Sequence, residues 1–144
     1  MHITLRIVRF EKPKDFLSDI IFEKFVTVKY GQRISIGRSD ECEIYVEDEY
    51  CSAIHTIFQF KDNKLLISDS ISKNGTKVNG TEIQHQVPLF IKDVISIGKT
   101  FIHIDEDKTA PTMKEHLQRP DDHATTILPS GDFDELTNII IKED

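Results

Sequence analysis

Apolar and polar residues alternate with a period of two along most of the first 104 positions. The clearest stretches are I-T-L-R-I-V-R-F (3–10), F-V-T-V-K-Y (25–30), H-T-I-F-Q-F (55–60) and F-I-H-I (101–104). Shorter runs are R-I-S-I (33–36), E-I-Y-V (43–46), K-L-L-I-S-D (64–69) and V-I-S-I (94–97). A period of two sends one set of side chains into a core and the other to solvent, so each run predicts a strand. Turn formers separate the runs at Tyr30-Gly31, Ser39-Asp40, Asp62-Asn63, Asn79-Gly80, Pro88 and Lys92-Asp93. Many short strands at close spacing predict an all-β sandwich and not alternating β–α units. Residues 55–69 read as a hairpin closed at Asp62-Asn63, and Val78-Asn79-Gly80-Thr81 as a second tight turn.

Two segments break the alternation. In residues 11–24, Phe16, Leu17, Ile20 and Ile21 recur at helical spacing, which predicts a short helix or an ordered loop packed on the sandwich. Beyond residue 106, prolines, charges and sparse large apolar residues predict a flexible tail over 107–144, leaving 1–106 as the folded domain. The last stretch, F-D-E-L-T-N-I-I-I-K (133–142), regains apolar residues and reads either as a short docking segment or as the start of a further domain.

Charge supports this division. Residues 1–104 carry 14 Lys+Arg and 14 Asp+Glu, whereas 105–144 carry 4 and 11, so the whole net charge of −7 resides in the tail. A neutral body with an acidic tail lacks the basic face that nucleic-acid binding requires, and no nucleic-acid partner is expected. Apolar stretches are too short for a membrane span, and the alternating N-terminus lacks a signal peptide's apolar block, so the expected location is cytoplasmic with no membrane partner. Cys42 and Cys51 stand nine positions apart with no CxxC and no His at ligand spacing. They are expected as reduced thiols, with no metal and no cofactor.

The polar islands between the strands carry the chemistry. They are Gly37-Arg38, S-A-I-H (52–55), S-K-N-G-T (72–76) and V-N-G (78–80). Together they offer a guanidinium, hydroxyls, an ammonium and carboxamides, a set suited to an oxyanion and a peptide backbone. An enzyme using Ser52 and His55 as nucleophile and base is the rival reading. No nucleophile elbow, Gly-rich phosphate loop or metal set accompanies that pair, and a binding module is favoured.

In order and spacing these islands resemble the forkhead-associated (FHA) domain, a reader of phosphothreonine, over residues 25–104. The resemblance implies a two-sheet β-sandwich of about eleven short strands. It also implies that Arg38, Ser52 and Lys73 contact the phosphate, and that Asn74, with Asn79 as a second candidate, grips the peptide backbone. Gly37, His55, Gly75 and Thr76 are implied to shape the loops. One departure stands out: the family commonly has Arg directly after the Ser, and here that position is Ala53.

The implied partners are a phosphothreonine-containing protein and the Ser/Thr kinase that modifies it. The tail supplies another candidate ligand, because D-D-H-A-T-T-I-L-P (121–129) sets acidic residues ahead of Thr125 and Thr126. Some bacterial members of the family bind such a phosphorylated tail in cis, and a tethered ligand reaches millimolar effective concentration. The alternatives are two threonines in an ordinary linker, a module that has lost phosphate dependence, and an N-terminal sensor of a longer signalling protein.

Overall fold

The computed structural model describes residues 1–10 and 20–120. In chain order its strands are β1 (His2–Phe10), β2 (Ile20–Lys29), β3 (Arg33–Gly37), β4 (Ile44–Tyr45), β5 (Thr56–Lys61) and β6 (Lys64–Asp69). There follow β7 (Lys77–Val78), β8 (Thr81–Glu82), β9 (Val87–Leu89), β10 (Val94–Ile97) and β11 (Thr100–Ile104), then a short helix α1 (Pro111–His116). Six strands form one sheet in the order β2-β1-β11-β10-β7-β8, and five form the other in the order β4-β3-β5-β6-β9. This is the expected two-sheet sandwich of eleven short strands.

The alternation writes the core directly. Ile3, Leu5 and Ile7 of β1, Phe58 and Phe60 of β5, Leu65 and Ile67 of β6, and Ile95 and Ile97 of β10 are all fully or almost fully buried. Each large side chain withdrawn from water in this way stabilises the fold by about 1.5–3 kcal/mol. The β5–β6 hairpin turns on Asp62 and Asn63, at φ 54° and 57°, the left-handed pair that a two-residue hairpin loop of matching twist requires.

Three expectations are corrected. Residues 20–24 are strand, not helix: β2 begins at Ile20 and pairs antiparallel with β1 from Phe10 to His2. Ladder bonds to β1 override the local helical spacing. Residues 11–19 of that segment lie outside the described residues. Pro88 is not a turn but the middle of β9, opposite Leu66. The strand lies at the edge of its sheet, where a missing N–H costs no ladder bond.

The third correction concerns the boundary after residue 106. The chain continues as part of the body to Arg119, with Met113 and Leu117 fully buried. Thr4 N–H donates to the Thr109 hydroxyl at 3.1 Å and Ala110 N–H to the His2 carbonyl at 3.1 Å, while Leu117 accepts from Ile91 N–H at 2.8 Å. Arg119 pairs with Asp93 and lies over the Phe90 ring. Two apolar side chains at i and i+4 suffice to dock this strap, although its overall composition is that of a linker. Among the described residues no helix is long and apolar enough to cross a membrane.

Candidate functional site

Three of the four polar islands, 37–38, 52–55 and 72–76, converge at one end of the sandwich on the loops around β3, β5 and β6. Gly37 ends β3 with its backbone against the 52–53 segment. A Cβ built there would lie 2.2 Å from the Ala53 carbonyl oxygen, so the approach is open only to glycine. This closeness lets Arg38 N–H donate to the Ser52 carbonyl at 2.9 Å and Ser39 N–H to the Ala53 carbonyl at 3.0 Å. Glu43 closes the far side of the 38–43 loop, accepting the Ser35 N–H and hydroxyl at 2.7 and 2.8 Å, bonds that hold its carboxyl below the usual range.

Ser52 in turn meets the third loop. Its Oγ accepts the Lys73 N–H at 3.0 Å. That bond occupies a lone pair and leaves the hydroxyl proton to be donated elsewhere. Arg38 and Lys73 thus stand beside Ser52, each held there by its backbone N–H and not by its own flexible end. Arg38 and Lys73 are exposed. Among the described residues neither cation pairs with a carboxylate.

His55 is fully buried beneath this row. Its Nδ1 accepts the Ser52 N–H at 3.0 Å, so Nδ1 carries no proton and Nε2 must donate to the Gly75 carbonyl at 2.8 Å. One neutral imidazole tautomer therefore locks the 52–55 and 70–76 loops together. Neither ring nitrogen faces the Ser52 hydroxyl, and the nucleophile–base pair of the hydrolase reading is not formed.

The 70–76 loop has its own frame. Asp69 accepts the Ser72 N–H at 2.8 Å, the Ser72 hydroxyl at 2.5 Å and the Thr76 hydroxyl at 2.7 Å. Because the Thr76 proton goes to Asp69, the buried Thr56 hydroxyl donates to Thr76 at 2.8 Å. Partial burial pushes the Asp69 carboxyl up, but the Ser72 and Thr76 hydrogen bonds outweigh it and hold the group below its ordinary range. Gly75, at φ +83°, takes a backbone conformation that suits glycine and donates its N–H to the Ser72 oxygen at 2.8 Å.

The two asparagines are already engaged. Asn74 Nδ2 donates to the Tyr50 carbonyl at 2.8 Å, leaving its Oδ1 and a second N–H. Asn79 lies on the β7–β8 turn at φ 52°. Its carboxamide donates to Asp93 at 2.9 Å and accepts the Val94 N–H at 2.9 Å, away from the Arg38–Ser52–Lys73 row. Thr125 and Thr126 lie outside the described residues.

Sequence reasoning missed Asp48, which is 3% exposed. Its carboxylate accepts Tyr50 N–H at 2.9 Å, Lys99 N–H at 2.7 Å and the Thr100 hydroxyl at 2.8 Å, tying the 46–51 loop to the β10–β11 turn. Burial and the neighbouring Asp48 carboxylate push the Cys51 thiol far up, so this thiol is inert packing. Two hollows flank the loops. One of about 470 Å³ is lined by Arg38, Arg9, Tyr45, Glu47, Glu49 and Lys99. The other, about 480 Å³, is lined by Tyr50, Asn74, Gly75, Lys77, Ser96 and Lys99. Arg9 and Lys99 reach this end only through the fold, from strand and turn positions with no motif around them. Among the described residues no cluster of His, Cys, Asp and Glu suits a metal ion.

Comparison with known proteins agrees with this architecture. The FHA domain family model matches residues 34–98. The chain is 29% identical over 73 residues to the FHA domain-containing protein FhaB of Mycobacterium tuberculosis, covering 51% of this chain and 47% of that protein. It therefore spans about half the length of the curated relatives it matches. The FHA domain of the CT664 protein from Chlamydia trachomatis superposes with a TM-score of 0.61 at 25% identity, covering 74% of this chain and 98% of that one. Mycobacterium tuberculosis EmbR, solved in complex with a low affinity phosphopeptide, shares the fold with a TM-score of 0.54 at 18% identity. The match covers 69% of this chain and 24% of that one.

Proposed function

Residues 34–98 of this chain form an FHA domain, and from that premise we propose that it is a non-catalytic reader of phosphothreonine peptides in Ser/Thr kinase signalling. The observation that carries the reading is the row Arg38–Ser52–Lys73, set by the Arg38 N–H to Ser52 carbonyl bond and the Lys73 N–H to Ser52 Oγ bond. A phosphothreonine brings close to two negative charges and three acceptor oxygens. In this reading the Arg38 fork, the Ser52 hydroxyl proton and the Lys73 ammonium each meet one of those oxygens. Asn74, with one N–H and Oδ1 left over, grips the backbone of the extended peptide. Asn79 supports the β7–β8 turn and reaches a ligand only at the edge of the site. The free buried thiols of Cys42 and Cys51 fit a reducing, cytoplasmic setting.

The chain's own tail is the first ligand to consider. Arg119 is anchored to Asp93 at the foot of β10, and β10 to Gly98 covers about 16 Å toward the loops. Seven extended residues from Arg119 to Thr126 reach about 23 Å, enough to travel that length. Phosphorylated Thr125 or Thr126 then occupies the row in cis and closes it to outside peptides.

Calorimetric titration of the chain with a peptide copying residues 119–131, phosphorylated at Thr125 or at Thr126, beside its unphosphorylated twin, tests the reading. One phosphorylated form is expected to bind and the unphosphorylated form is not. Arg38→Ala is expected to cost about 2–5 kcal/mol, because the phosphate loses its cation in a partly desolvated site. Affinity within tenfold of wild type in that variant sinks the role given to Arg38.

A further inference from the structure

Ile71 combines two costs. It is 99% exposed, whereas the other large apolar side chains on the described surface are between 41% and 58% exposed. Its backbone sits at φ +50°, a left-handed conformation in which a β-branched residue is strained. Glycine takes that conformation without strain, and the isoleucine buries nothing in the free molecule in return. Such a residue is accounted for by what it touches when the site is filled.

The β5–β6 hairpin places Ile71 in the loop that meets Ser52. Thr56 pairs with Asp69 at the end of the ladder. Beyond the ladder the two loops stay in touch: Ser70 N–H donates to the His55 carbonyl at 2.9 Å, and Lys73 N–H to Ser52 Oγ at 3.0 Å. Ile54 and Ile71 are the next residues out from the His55–Ser70 bond on the two loops, and Ile54 is itself 48% exposed. Two aliphatic side chains therefore lie close to the Ser52–Lys73 contact, each two residues along its own loop.

We propose that Ile54 and Ile71 form an apolar lip that takes a large aliphatic side chain flanking the phosphothreonine, so that the site selects phosphothreonine segments carrying Ile, Leu or Val within two residues. This deepens the phosphothreonine reading and rests on it. Its support is the place of Ile54 and Ile71 two residues from Ser52 and Lys73, and the unrelieved exposure of Ile71. The tail segment Thr125-Thr126-Ile127-Leu128 has the required composition, with aliphatic residues directly after a threonine pair.

The test is fluorescence anisotropy of the full chain against phosphothreonine peptides in an alanine background. Each peptide carries a single Ile at one of the two positions before or the two after the phosphothreonine, and the tail sequence phosphorylated on Thr126 runs alongside. At one position Ile is expected to strengthen binding about tenfold over alanine, the yield of partly burying one aliphatic side chain. That advantage is expected to vanish in Ile71→Gly and to fall in Ile54→Ser, with affinity for the all-alanine phosphopeptide unchanged. Glycine suits the left-handed backbone, so the melting temperature of Ile71→Gly serves as the folding control and is expected not to fall. An equal advantage in wild type and Ile71→Gly, or no Ile position better than alanine, overturns the inference alone. A chain that binds no phosphothreonine peptide overturns both the inference and the reading beneath it.

Discussion

Replacing Asp48 with Ala deletes an acceptor on which two distant segments depend. Three donors lose their partner: Tyr50 N–H, Lys99 N–H and the Thr100 hydroxyl. Thr100 is fully buried, so its hydroxyl has no water to turn to. The two backbone donors recover solvent only if the loops separate. At about 1 kcal/mol for each orphaned donor, the loss comes to about 3 kcal/mol. For a body of this size that lowers the melting temperature by about 10 °C. The same 3 kcal/mol accelerates exchange of the Lys99 amide, where opening is local, by about a hundredfold. Asp48→Asn separates charge from shape. It preserves the volume, but one end of the carboxamide becomes a donor aimed at donors, and a loss of about 2 kcal/mol is expected. Calorimetric melting and hydrogen exchange on the three proteins provide the assay. A melting temperature within about 3 °C of wild type in Asp48→Ala, or an unchanged Lys99 exchange rate, refutes the reasoning.

Two further outcomes follow from the same structure. Truncation after residue 106 removes the buried Met113 and Leu117. It is expected to cost at least about 3 kcal/mol by burial alone, so a chain ending at 106 that melts with one ending at 120 refutes the strap's structural role. For Asp69, folding depresses the carboxyl below 3.8, so its contribution is complete above the unfolded value and lost as pH falls through the folded one. The gap in melting temperature between wild type and Asp69→Asn is therefore expected to be widest near neutral pH and to shrink in acid below about pH 4. A gap of equal size at pH 7 and pH 3 refutes it.

What the sequence made legible is what the backbone imposes locally. Alternation exposed β1, β5, β6 and β10 because a half-buried strand must bury every second residue, and the left-handed turn at Asp62-Asn63 could be read from residue type. What it hid depends on contacts distant in the chain. Asp48 sits in the run Glu47-Asp48-Glu49, where a solvated acid is the natural reading, and only Lys99 and Thr100, fifty positions away, make it a core residue. The strap at 108–119 hid because two buried side chains are outnumbered by prolines and charges around them. The first half of β2 carried helical spacing, and only its partner β1 decides it. For the site, residue types indicated Arg38, Ser52 and Lys73 as a set, but not that Ser52 links the other two. Nor did they show that the carboxamides of Asn74 and Asn79 are already bonded within the protein.

The unbroken register of β5 and β6, from Lys61 opposite Lys64 to Thr56 opposite Asp69, has a consequence for how such a chain can change length over generations. The two arms of the β5–β6 hairpin count residues against each other and so set where the loops beyond them meet. One residue gained or lost within either arm slips the partner by a step, drawing Lys73 N–H away from Ser52 Oγ and turning alternate side chains to the wrong face. Lengthening at Asp62-Asn63 leaves that count untouched, since both arms still leave the turn in phase. Insertions and deletions should therefore accumulate at the hairpin's closed end and be purged from its arms, even though both lie well away from any ligand.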